Sequence, residues 1–166
     1  MNSIFHRVSI RKFEDKPVER EKILQILKAG MQAPSARNQQ PWEFYVVTDK
    51  EKIQELSTAT QYSGCAAKAP VVIVPVYRKN DLAVPQMAVV DMAIAQQNIW
   101  LETDALGLGG VWIGIAPVQD RMELVHKMMD LPEDVEVFSM FALGYPAESR
   151  AQQDRFDEAR IHFVGE

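Results

Sequence analysis

Between residues 6 and 12 the chain sets His6, Arg7, Arg11 and Lys12 around a serine, Ser9. In extended backbone successive side chains point to opposite sides, so Arg7, Ser9 and Arg11 would project one way while Val8 and Ile10 turn inward. Two guanidiniums and a hydroxyl on one side suit a phosphate, because arginine offers paired donors in a fixed fork; a solvated basic face is the plain alternative. A second stretch, Ala33 to Phe44 (APSARNQQPWEF), is a loop between two prolines whose Ser, Asn and Gln present neutral donors and acceptors to a ligand's edge. A third, Gly107 to Ala116 (GLGGVWIGIA), invites a dinucleotide-binding reading and fails it. Trp112 stands where the last glycine is required, and a helix leads into a strand where the motif needs the reverse order. Any phosphate must then be held by arginines, which points back to Arg7 and Arg11.

Other chemistries lack their residues. His6, His126 and His162 lie far apart with no metal-ligand spacing, and there is no G-x-S-x-G elbow. One cysteine, Cys65, excludes an internal disulfide framework and a cysteine-based zinc site, and fits a reducing compartment. A net charge of -5 without a basic run argues against nucleic acid. The start, MNSIFHRVSIRKF, lacks the apolar core of a signal peptide, and no stretch holds eighteen uninterrupted apolar residues. The expectation is a cytoplasmic protein with a small-molecule partner, no nucleic acid and no membrane.

The elements that would position these residues read as one domain over residues 1–166, with 47% hydrophobic and 25% charged residues. Met87 to Leu106 predicts a long helix, roughly 30 Å, apolar on nearly every side, with Asp91, Asn98 and Glu102 in one narrow polar stripe. A chain this short would need a second copy of itself to cover such a helix. Pro17 to Met31 and Asp120 to Leu131 have helical spacing, and Thr48 to Glu51 matches a capping box that starts another helix. Strands are expected at Glu43 to Val47, at Val71 to Tyr77 with Pro75 marking a bulge or an end, and at Val135 to Leu143. A terminal strand is expected at Arg160 to Val164, and the stretch from Thr58 to Ala67 is left unassigned.

Three motifs in order, R-x-S-I-R-K-F at 7–13, A-P-S-A-x-N-x-Q-P-W-x-F at 33–44 and A-L-G-L-G-x-V-W-I-G at 105–114, with G-Y-P at 144–146, resemble the nitroreductase family of FMN-dependent oxidoreductases over nearly the whole chain. The resemblance implies an α+β fold with a central, mostly antiparallel sheet flanked by helices, an intertwined homodimer, and flavin sites built from both subunits. It implies that Arg7, Ser9 and Arg11 hold the FMN phosphate, ribityl chain and pyrimidine edge, and that Arg155 is a late phosphate-binding arginine. Pro34, Ser35 and Ala36 would lie against the isoalloxazine from the other subunit with Asn38 nearby, and Ile113, Gly114 and Ile115 would supply backbone near flavin N5 and O4. No side-chain nucleophile is needed, since the hydride chemistry belongs to the cofactor.

The activity so implied is a ping-pong one, in which NAD(P)H reduces FMN and a small oxidant, a nitroaromatic or a quinone, then binds at the same face. A flavin-binding storage or sensor protein without efficient turnover would carry the same motifs. The short connection from Arg78 to Pro85 leaves little room for a lid-like insertion and weighs against a specialised dehalogenase or flavin-cleaving activity.

Overall fold

The structure, a computed structural model, describes residues 2–165. Its central strand is the β-branched run expected to be buried: β2 (Val71–Arg78) has its first six residues buried, as a strand covered on both faces requires. With β1 (Trp42–Val47), β3 (Gly109–Gly114), β4 (Val135–Val137) and β5 (Ser139–Gly144) it makes a five-stranded antiparallel sheet in the order β1-β2-β5-β3, with β4 also on β2. Helices lie on both faces. Val71, Ile73, Phe141 and Leu143 point to the side covered by α2 (Arg20–Met31) and α4 (Ala88–Ala105), meeting Ile23, Ile26 and Ile99. Val72, Val74, Val76, Met140 and Ala142 point to the other, meeting Ile53 and Leu56 of α3 (Lys50–Leu56) and Met122 and Val125 of α5 (Gln119–Met128). Each fully buried side chain of this kind contributes about 1.5–3 kcal/mol. A four-residue helix, Ser3–His6, packs near α4, so the helices are numbered with it as α1.

Pro75 lies inside β2 instead of ending it. Its carbonyl accepts from the Phe138 N–H at 2.9 Å, so its missing N–H faces the same side, at the one place where β5 has finished pairing (Val71–Ile73) and β4 has begun (Val76–Arg78). The expected single strand 135–143 is therefore two, broken at Phe138. The expected strand at 160–164 is not formed. Glu158–Arg160 make a 3-10 turn, and Phe156, Ile161, Phe163 and Val164 lie exposed along a tail that has left the sheet edges.

The helix α4 is entered through a 3-10 turn, Pro85–Met87, that carries its proline in the first turn. It ends as a Schellman motif: Gly107 has φ +72, its N–H donates to the Asp104 carbonyl, and the Leu108 N–H donates to that of Thr103, both at 3.0 Å. The glycine turn is a helix exit, as its order in the chain predicts. The polar stripe of α4 is satisfied from neighbouring segments. Asn98 donates to the Ala29 carbonyl at 3.1 Å, Glu102 accepts from Gln25 at 2.6 Å, and Asp91 holds the 33–41 loop. Another face stays open, with Val89 and Val90 exposed and Ala93, Ile94 and Leu101 half-buried. At α3 the capping residue is Asp49, not Thr48, accepting the Lys52 N–H at 2.8 Å. The unassigned stretch becomes a 3-10 helix, Ser63–Lys68, pinned by the buried Ser63 hydroxyl.

Candidate functional site

The arginine segment leaves α1 and runs beside the start of β3, where Ser9 bridges Gly110 and the Ile10 N–H donates to the Gly110 carbonyl at 3.0 Å. Ile10 turns into the core, as alternation predicts, but Val8, expected to do the same, is only half-buried and also lines the cavity beside the arginines. A cavity of about 600 Å³ opens on the other side, lined by Arg7, Ser9 and Arg11, by Trp100 of α4, and by Arg150 and Arg155 of the tail. The guanidinium carbon of Arg7 lies over the Trp100 ring, 4.0 Å from its centre, and Nε is buried with no hydrogen-bond partner among the described residues. Burial, and then the charge of Arg155, lower the Arg7 pKa from its ordinary value, with Asp104 opposing them. An arginine so placed stays protonated. Cations crowded around an unused buried donor make a site for an anion.

Glu148 ties the two walls together. One oxygen accepts the Arg11 N–H at 2.6 Å and the other accepts from Arg150 at 3.1 Å, and these bonds, the first foremost, hold its pKa below the usual carboxylate range. Trp100 and Arg150 were not singled out by the sequence. Trp100 sits within an apolar helical run with nothing to mark it as a platform, and Arg150 falls in a polar tail with no periodicity.

Pro34, Ser35, Ala36 and Asn38 stand elsewhere. Their loop is unusually constrained: Arg37, Asn38 and Gln40 all have positive φ (48, 55 and 44), a left-handed conformation that costs non-glycine residues of order 1–3 kcal/mol each. Anchors distant in sequence hold it. The buried Asp91 carboxylate accepts the Ala36 N–H at 2.9 Å and the Gln39 side-chain amide at 2.7 Å, and the Arg78 guanidinium donates to the Gln39 and Gln40 carbonyls. Of these loop residues, none lines the arginine cavity. Asp91 precedes Trp100 by nine residues, roughly 14 Å of helix, so loop and arginines sit toward opposite ends of α4.

Ile113 and Ile115 bury their side chains, which leaves only their backbone to offer, and Gly114 between them is exposed, with nothing within 4 Å of where a Cβ would lie. Gly114 closes β3, four residues and about 13 Å beyond the Gly110 that pairs with Ser9. The chain thus offers an anion cavity and, further along the same strand, an open stretch of backbone. Among the described residues no group of three His, Cys, Asp or Glu is placed to hold a metal, and no helix is long and apolar enough to cross a membrane.

Comparison with known proteins agrees with this architecture. The nitroreductase family model matches residues 4–63 and 59–145. A protein from Methanothermobacter thermautotrophicus, provisionally named an NADH dehydrogenase/NAD(P)H nitroreductase, is 40% identical over 162 residues, which cover 98% of this chain and 85% of that one. The crystal structure of a provisionally named NADH oxidase from Clostridium acetobutylicum superposes with a TM-score of 0.94 at 42% identity, covering 96% of this chain and 97% of that one. An FMN-dependent nitroreductase from Clostridium difficile R20291 gives a TM-score of 0.90 at 30% identity, covering 98% and 97%.

Proposed function

Since this chain belongs to the nitroreductase family, we propose that it is an FMN-dependent oxidoreductase that takes a hydride from NAD(P)H and delivers it to a nitroaromatic, quinone or similar small oxidant in a ping-pong cycle. The observation that carries the reading is the cavity where Arg7, Arg11, Arg150 and Arg155 converge around the unpartnered Nε of Arg7. Its donors fit a phosphate monoester, and the open backbone at Gly114 fits a flat ring approaching without a side chain in the way. FMN, when bound, supplies a ring that accepts a hydride at N5 and passes it on.

The residues then divide the work of holding it. Arg7 and Arg155 neutralise the phosphate, and Ser9 meets the ribityl hydroxyls. Arg11 sets a positive charge toward the pyrimidine edge, which favours extra electron density there. Ile113, Gly114 and Ile115 supply backbone at the reactive edge, while the two isoleucine side chains, turned into the core, keep the wall dry. Pro34, Ser35, Ala36 and Asn38 complete the site from a second subunit. The open face of α4 supports this: a two-fold axis perpendicular to that helix sets two copies side by side in opposite directions, bringing the loop of one to the arginine cavity of the other. We assign the enzyme to the cytoplasm, whose reducing conditions suit its one, half-buried cysteine.

Titration of the purified protein with FMN, followed by anaerobic addition of NADH or NADPH and then a nitroaromatic or quinone, tests the reading. Flavin bands that bleach with the nicotinamide and return with the oxidant are expected, with parallel-line initial-velocity plots. Arg7→Ala and Arg11→Ala should each weaken FMN binding about tenfold or more, the scale of a lost hydrogen bond to a charged group. Flavin that binds but does not bleach would leave a binding protein in place of an enzyme, and absence of flavin binding would overturn both.

A further inference from the structure

One cation near Gly114 is left unused by the function above. Arg121, in the first turn of α5, donates from Nη1 to the Gly114 carbonyl at 3.2 Å, and its guanidinium carbon lies 5.9 Å from the centre of the Tyr62 ring. That ring is 66% exposed, on the turn before the 3-10 helix Ser63–Lys68, within the 58–67 stretch that the sequence leaves unassigned. Among the described residues Arg121 makes no ion pair. Its neighbours Asp120 and Glu123 are on the same helix, and Glu123 instead accepts from Gln119 at 3.0 Å.

One anchored N–H holds the guanidinium beside the open backbone, and among the described residues its other donors make no hydrogen bond, so little further ordering is needed to engage an anion. The flat, exposed face of Tyr62 stands next to it. An aromatic molecule lying over Gly114 with a negative group at its edge would meet a wall and a cation together.

We propose that Arg121, with Tyr62 beside it, is a specificity-determining pair that recognises an anionic group on the substrate stacked at Gly114, so that the enzyme favours aromatic acids over their neutral analogues. This rests on Gly114 marking the flavin's reactive edge. The anion is a carboxylate on the oxidant; the pyrophosphate of the nicotinamide dinucleotide has the same chemistry and is separated from it by the test.

FMN-loaded wild-type, Arg121→Gln and Arg121→Lys proteins are compared on 4-nitrobenzoate and 4-nitrobenzyl alcohol, and the quantity read is the ratio of the two kcat/KM values within each protein. Taking the ratio cancels any general loss from altered folding or flavin content. The wild type should prefer the carboxylate, Arg121→Gln should lower the ratio about fivefold or more, and Arg121→Lys should keep most of it. Raising salt from about 0.05 to about 0.5 M should erode the wild-type preference. In a second arm, the NADH dependence of flavin bleaching is measured without oxidant. A shift confined to this arm in Arg121→Gln overturns the preference for aromatic acids and assigns the contact to the dinucleotide's pyrophosphate. If neither the ratio nor the NADH dependence moves while wild-type flavin still cycles, the proposal is overturned and the oxidoreductase reading stands. Flavin that neither NADH nor NADPH bleaches in the wild type overturns both.

Discussion

A single carboxylate couples the two walls of the arginine cavity. Glu148 accepts from the Arg11 backbone on one side and from the Arg150 side chain on the other, and its pKa is lowered for that reason. A depressed carboxylate contributes stability above its unfolded pKa of about 4.3 and loses that contribution as pH falls through the lower folded value. Melting temperature and FMN affinity measured from about pH 6 down to about pH 3 should therefore fall at the acid end in the wild type. In Glu148→Gln the part of that decline owed to residue 148 should be absent, leaving a shallower profile. An unchanged profile would mean that the coupling contributes nothing. Cys65, which also lies near Arg11, should alkylate slowly at neutral pH, because burial raises its thiol pKa while Arg11 opposes it more weakly.

At the level of elements, β3 shows two glycines with opposite reasons for being there. A Cβ at Gly110 would run into the Phe141 ring, whereas one at Gly114 would meet nothing. Gly110→Ala should lower stability by about 1–3 kcal/mol, read as a fall in melting temperature. Gly114→Leu should leave the melting temperature of the flavin-free protein nearly unchanged and slow flavin reduction by NAD(P)H about tenfold or more by displacing the ring. Normal reduction in Gly114→Leu would remove that position from the site. The elements themselves were largely readable in the chain: β-branched Val71 to Val76 announced a strand buried on both faces, and Gly107 announced the helix exit. Alternation around Ser9 likewise foretold that Arg7 and Arg11 would reach one cavity, with Ile10 inward. What could not be read depended on a neighbour far along the chain. Pro75 is tolerated because β4 and β5 part opposite it, the 160–164 stretch finds no sheet edge, and Asp91, seen only as part of a polar stripe, turns out to secure the 33–41 loop.

For the whole molecule, the uncovered side of α4 and the separation of the 34–38 loop from the arginine cavity have one common remedy in a second copy. Val90 is 46% exposed and Ile94 half-buried on that side. The unmodified protein should sediment as a dimer and the double variant Val90→Asp, Ile94→Asp as a monomer, and the variant should lose FMN affinity although none of its arginines is changed. A monomeric variant that binds FMN as well as the parent would show that each subunit holds its cofactor alone. The exposed Phe156, Ile161, Phe163 and Val164 of the tail offer further apolar surface for the same partner.

The left-handed residues Arg37, Asn38 and Gln40 also bear on the order in which the protein takes shape. Local bonds hold part of the loop, since Ser35 accepts the Gln40 N–H at 3.0 Å and Asn38 accepts from the Gln40 amide at 2.8 Å, but its other anchors, Asp91 and Arg78, belong to α4 and β2. Those distant anchors engage only after that helix has docked on that strand, so the loop should be among the last parts to reach its final conformation. In native-state hydrogen exchange the Ala36 amide, bonded to Asp91, should then open together with α4 and not with the fraying of surface turns. Mutations that loosen α4 anywhere along its length would be felt at the loop long before the sheet melts.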